Sequence, residues 1–165
     1  VTTPEEGGKW VLLSYRMPRE PSTPRIAIWR KFKRLGVAQL GDGLVALPAD
    51  ARTREHLEWV ADEVIEAGGA ATIWLAQPGS AAQERALAQS MADARTAEYT
   101  AVLAQAEQAR TADEATRRRV LRKLRAELRR IHRRDYFPPP ARRAAETAVN
   151  SLNPDRPDSE ENQPA

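Results

Sequence analysis

Hydrophobic positions in the first half of the chain switch repeatedly between short continuous runs and helical spacing. The stretch KWVLLSYRMP, Lys9 to Pro18, is apolar, partly β-branched and aromatic, and stops at proline, which predicts a buried strand. In REPSTPRIAIWRKFKRLG, Thr23 before Pro24 reads as a helix N-cap with proline at the first helical position, and Gly36 as the stop. Ile28, Phe32 and Leu35 then share one face of an amphipathic helix. Two apolar runs, Val37 to Leu40 and Leu44 to Leu47, flank Gly41-Asp42-Gly43 and predict a hairpin ended by Pro48. Asp50 or Thr53 can cap a second helix whose inward face is Leu57, Val60, Ala61 and Val64, with Gly68 at its exit. A fourth strand, Ala71 to Ala76, closes at Pro78-Gly79. The order strand, helix, strand, strand, helix, strand predicts an α+β, ferredoxin-like βαββαβ domain over residues 9–79, with an antiparallel sheet and both helices on one face.

From Ser80 the pattern becomes Ala-rich and helical, so residues 80–152 are expected to form a C-terminal α-helical extension. Residues 81–109 carry Leu87, Met91, Ala94, Val102 and Ala106 at roughly helical spacing, and Thr111 with Glu114 reads as a capping box for the next helix. In that basic helix, residues 113–134, Leu121, Leu124, Leu128 and Ile131 step by 3, 4 and 3, joined by Val120, and form a narrow apolar stripe. Pro138 to Pro140 must break it, and Ala141 to Leu152 reads as a short last helix. Residues 153–165, proline-containing and acidic, have little to bury and are expected to be a disordered tail.

Composition narrows the chemistry. The chain has 165 residues and no cysteine, which excludes disulfides, thiolate metal sites and a thiol nucleophile or sensor. His56 and His132 are the only imidazoles, so no metal or other cofactor is expected. No apolar run approaches the roughly 18 to 20 residues of a membrane helix, and the opening VTTPEEGGKW lacks the pattern of a signal peptide, so a cytoplasmic protein with no membrane partner is expected.

Net charge is only +3, but residues 113–152 hold twelve Lys/Arg against five Asp/Glu. Within that segment Arg117, Arg118, Arg119, Arg122, Lys123, Arg125, Arg129, Arg130, Arg133 and Arg134 share their stretch with a single acid, Glu127. Solvated helix faces usually alternate sign, and this one does not. These ten residues are therefore the candidate nucleic-acid contacts, neutralising phosphates and releasing counterions. A competing view makes the leucine stripe the functional surface and the arginines its solvating coat. The first helix is basic and the second acidic, so their rims should attract when they pack side by side.

Other constellations favour packing over chemistry. Trp10, Trp29, Trp59 and Trp74 fall one to each core element and are expected to pack there, and Tyr136 and Phe137 are expected to anchor on the core. Glu55, Glu58, Asp62 and Glu66 read as a solvated face and Gly41-Asp42-Gly43 as a turn, and neither a nucleophile elbow nor an HExxH motif occurs. A metal-dependent nuclease on such a sheet would want an acid at the end of the first strand, which instead ends Ser14-Tyr15-Arg16. An enzyme is not expected.

The long string KWVLLSYRMPREPSTPRIAIWRKFKRLGVAQLGDGLVALPADARTREHLEWVADEVIEAGGAATIWLA, followed by LRRIHRRDYFPPP, resembles the N-terminal region of the ChrB chromate-resistance proteins across residues 9–152. The strand and hairpin portion is also similar to the ferredoxin-like middle domain of PaaX-type repressors. The resemblance implies a bacterial transcription regulator that binds the promoter of a chromate-resistance operon, releases it in chromate, and forms a homodimer through the ferredoxin-like domain. It further implies a C-terminal ChrB domain as a partner in cis or in trans, because full-length family members carry one. In the absence of cysteine, this portion cannot sense chromate by thiol oxidation.

Overall fold

The computed structural model describes residues 9–155. The leader before Lys9 and the expected acidic tail from residue 156 onward lie outside the described residues. Elements follow in the order β1 (Trp10–Arg16), α1 (Ser22–Leu35), β2 (Ala38–Gly41), β3 (Leu44–Pro48), α2 (Ala51–Glu66), β4 (Ala70–Ala76), α3 (Ala81–Ala109), α4 (Glu114–Arg133) and α5 (Pro140–Asn150). The chain divides into two compact units. One contains the described residues up to Ala92 with Arg134–Phe137, the other Asp93–Arg133 and the described residues from Pro138. No helix among the described residues is long and apolar enough to cross a membrane.

The sheet unit is ferredoxin-like: four antiparallel strands in the order β2-β3-β1-β4. Strand alternation divides β1 between two faces. Val11, Leu13 and Tyr15 point toward the helices, with the Tyr15 ring 5.2 Å from that of Phe32 on α1. Ile28 and Phe32 of α1, and Leu57, Val60 and Val64 of α2, complete this core. On the other face the Trp10 indole N–H donates to Glu84 Oε1 at 3.1 Å and Phe137 stacks on Trp10 at 5.9 Å, while the Tyr136 hydroxyl donates to the carbonyl of Leu35 at the end of α1 at 2.9 Å. Tyr136 and Phe137 thus anchor on the core as expected.

At the hairpin, Gly41 pairs with Leu44, leaving Asp42-Gly43 as the turn. Gly43 sits at φ +72°, where a Cβ would lie 2.4 Å from the Tyr15 carbonyl oxygen, so the turn requires glycine. The α1 and α2 rims attract as their charges predicted, and Lys31 ion-pairs with Glu63.

Three expectations need correction. Thr23 does not cap α1: the helix begins at Ser22, two residues earlier than expected, behind Pro21, with no side-chain cap. Pro24 falls in the first turn, where its missing N–H would have no intrahelical acceptor in any case. Thr111 does not form a capping box with Glu114. Asp113 caps α4, its carboxylate accepting from the Thr116 N–H at 2.6 Å, because its short side chain stands directly before the first turn. For α2, Asp50 is the cap, and it forms a reciprocal box with Thr53.

The third correction concerns the tryptophans. Trp10 is buried at 3% exposure, but Trp29, Trp59 and Trp74 are 57%, 56% and 54% exposed. Each of the three is out of phase with the buried face of its element. Trp29 and Trp59 sit next to the inward-facing Ile28 and Val60, and Trp74 pairs with Leu12 on the sheet face away from α1 and α2.

Candidate nucleic-acid interface

The helical unit is built around α4. Its composition, rich in Arg, Leu and Ala with no Gly or Pro, favours helix throughout. Leu121, Leu124, Leu128 and Ile131 are buried with Tyr99, Val102 and Ala106 of α3 and with Ala145, Ala148, Val149 and Leu152. The apolar stripe is therefore occupied inside the chain.

Rotated away from that stripe, Arg118, Arg122, Arg125, Arg129 and Arg133 recur at steps of 4, 3, 4 and 4 and are all exposed. At 1.5 Å per residue they line one helix face over about 22 Å. Arg118 pairs with Glu114 at 2.6 Å and lies 3.7 Å from Asp155. Among the described residues, Arg122, Arg125, Arg129 and Arg133 have no carboxylate within ion-pair distance. Like charges at i, i+4 each cost about 0.2–0.5 kcal/mol in an isolated helix. The stripe thus works against the stability of α4, and its charges remain available to an outside anion.

The other five candidates are placed differently. Arg119 is exposed at the border of the stripe. Arg117 is turned inward, its Nε buried without a hydrogen-bond partner. Lys123 and Arg130 occupy the opposite flank, where Lys123 Nζ donates to Gln105 Oε1 at 3.0 Å and Arg130 pairs with Glu127 at 2.7 Å. Arg134 lies beyond α4 and belongs to the sheet unit.

Sequence reasoning missed two features. On α5, Glu146 Oε1 lies 3.0 Å both from Arg142 Nε, with which it ion-pairs, and from His132 Nε2, a polar cluster joining α4 to α5. The i, i+4 spacing of Arg142 and Glu146 was its only trace in the sequence. In the sheet unit, a cleft of about 730 Å³ is lined by Arg16, Arg19 and Arg25 together with Tyr15, Trp29 and Asp42. Burial, and then the Asp42 carboxylate, hold the Tyr15 hydroxyl above its ordinary pKa, so it stays neutral. Arg16 and Arg25 flank, and Arg19 lies within, the Pro18 to Pro24 segment, whose path no periodicity predicts.

Comparison with known proteins decides the family. A family model described as Protein ChrB, N-terminal, matches residues 25–158, which include the whole of α4. This chain belongs to the ChrB N-terminal family. Protein ChrB of Cupriavidus metallidurans is 30% identical over 149 residues, covering 87% of this chain and 45% of that protein. The chain thus spans less than half the length of this ChrB relative. No solved structure matches it.

Proposed function

We propose that this chain is the N-terminal part of a chromate-responsive, DNA-binding transcription regulator of a chromate-resistance operon, acting in the cytoplasm and without catalysis. The observation that carries the reading is the exposed stripe Arg118, Arg122, Arg125, Arg129 and Arg133, of which the last four have no carboxylate partner among the described residues, on a helix whose apolar face is already buried. Membership in the ChrB family supports the regulatory role in chromate resistance, and chromate is the effector proposed with it. A helix about 10–12 Å across fits a DNA major groove of similar width, and guanidiniums along one face meet phosphates. Such contacts set affinity and orientation, while base readout falls to other residues. The ferredoxin-like unit dimerises, which would present two such helices to a two-fold operator. A C-terminal ChrB domain would be the partner through which effector state reaches the DNA.

A scaffold reading, with the leucine stripe as docking surface, is disfavoured because that stripe is buried against α3 and the residues around α5. The test is fluorescence anisotropy of the chain with its operon's promoter duplex and with a scrambled duplex, each with and without chromate. Tighter binding to the promoter supports the regulator, and release by chromate places a sensor in this half. Equal or absent binding would overturn the reading.

A further inference from the structure

At one end of the sheet, β4 pairs only with β1 among the described residues. Edge strands are commonly protected from pairing by charge, proline, bulges or short length. β4 has none of these protections: its seven residues, AATIWLA, carry no charge and no proline, and its pairing with β1 runs without a register shift. Trp74 and Leu75 stand 54% and 57% exposed on it, and Ile65 of the adjacent α2 is 54% exposed. Ile65 lies on the flank of α2 opposite Glu63, the residue that pairs with Lys31 of α1.

The ladder defines which backbone groups are free. Tyr15 N–H donates to the Gly43 carbonyl and Ala49 N–H to the Lys9 carbonyl, so the odd-numbered residues of β1 bond toward β3 and the even-numbered ones toward β4. Trp74 opposite Leu12 and Thr72 opposite Ser14 therefore bond inward. The N–H and C=O groups of Ala71, Ile73 and Leu75 point outward from the sheet.

We infer that β4 is the dimer interface: it pairs antiparallel with β4 of a second copy about a two-fold axis through Ile73. This inference rests on the dimerisation in the function proposed above and is independent of DNA binding. Residues paired across strands point to the same face, so a symmetric antiparallel pair must place some residue opposite itself. Centring on Ile73 uses every outward backbone group of the strand, whereas centring on Thr72 or Trp74 strands some of them. In that register large meets small: Trp74 faces Thr72 of the second copy on one side of the sheet, and Leu75 faces Ala71 on the other. The rims are complementary under the same axis. The α2 flank that carries Ile65 holds Arg54, paired with Glu58 of its own helix, near its beginning and Asp62 near its end, so antiparallel copies set the basic residue of one toward the acidic residue of the other. The product is a continuous eight-stranded sheet with an isologous interface.

Sedimentation velocity of the whole chain from about 1 to about 100 µM tests this, a range that captures ordinary homodimer affinities. The Trp74→Lys/Leu75→Lys variant replaces two exposed side chains, so the fold should persist while the dimer dissociation constant rises by about 100-fold. Trp29→Lys, equally exposed on α1, should change nothing. In the wild-type dimer, amide exchange at Ala71, Ile73 and Leu75 should be slow, and it should become fast in the double variant. A dimer that survives the double lysine variant, or that shows rapid exchange at those amides, overturns the β4 interface while leaving dimerisation intact. A chain that stays monomeric throughout overturns both, whatever its DNA affinity.

Discussion

Two basic helices, α1 and α4, carry their charge in different company. α1 holds Arg25, Arg30, Lys31, Lys33 and Arg34, but Lys31 is paired with Glu63 of the acidic α2, and the Lys33 ammonium lies 5.2 Å from the centre of the Trp29 ring. α4 packs against helices that leave four of its five stripe arginines without an acid among the described residues. Similar local composition thus serves helix packing in one unit and remains unbalanced in the other. The density of Lys and Arg does not separate the two roles; the position of the one paired carboxylate does, since Lys31 meets Glu63 of the neighbouring α2 whereas Arg118 meets Glu114 of its own helix and Asp155.

The largest effect that would break this contrast lies beneath the α4 stripe. Leu124 is fully buried, so Leu124→Asp places an unpaired carboxylate in the helical core and should cost at least about 3–5 kcal/mol. Chemical denaturation followed by circular dichroism should show the helical unit melting early; an unshifted transition would mean that α4 is not docked as described. Next in size, Asp50→Ala removes the N-cap of α2 and should cost about 0.5–2 kcal/mol, and Asp113→Ala removes that of α4 and should lower helicity in circular dichroism.

Both caps are pH-sensitive in a defined direction. Hydrogen bonds from Thr116 for Asp113, and from Thr53 for Asp50, hold the two carboxylates below the ordinary aspartate pKa. A depressed native pKa means that the cap's stabilisation is present above the unfolded value of about 3.9 and is lost as pH falls through the lower native one. Asp113→Asn, which caps without titrating, should keep helicity at neutral pH and remove that share of the acid sensitivity in a circular dichroism titration. The smallest effect is on the α1 side. Lys31→Ala should cost about 0–1 kcal/mol, since both partners of its ion pair are partly exposed, and it should leave any DNA affinity unchanged. A loss of DNA binding there would erase the distinction between the two helices.

Most of the fold was legible because each sheet element carries one clear period: Val11 and Leu13 within a short run, and Leu57, Val60 and Val64 at helical steps. The tryptophans were misjudged because residue type indicates burial on average, whereas exposure depends on phase. Trp29 and Trp59 are each one step off a buried neighbour, and Trp74 depends on which sheet face stays open. The helix starts at Thr23 and Thr111 were missed because adjacent residues compete for the cap, and only geometry shows that Asp113 wins. For the interface, the steps from Arg118 to Arg133 could be read directly from the sequence. The inward turn of Arg117, the Gln105 contact of Lys123 and the Glu146 cluster depend on neighbours far along the chain, which periodicity does not reveal.

The central claim is that the unpaired arginine face of α4 contacts phosphate. The direct measurement is the salt dependence of DNA affinity for the wild-type chain against Arg122→Ala/Arg125→Ala/Arg129→Ala, from about 50 to about 200 mM salt. Each lost phosphate contact should flatten the log–log slope by about 0.9, so the triple variant should lose close to 2.7. Equal slopes in the two proteins would contradict the account and return the stripe to solvent.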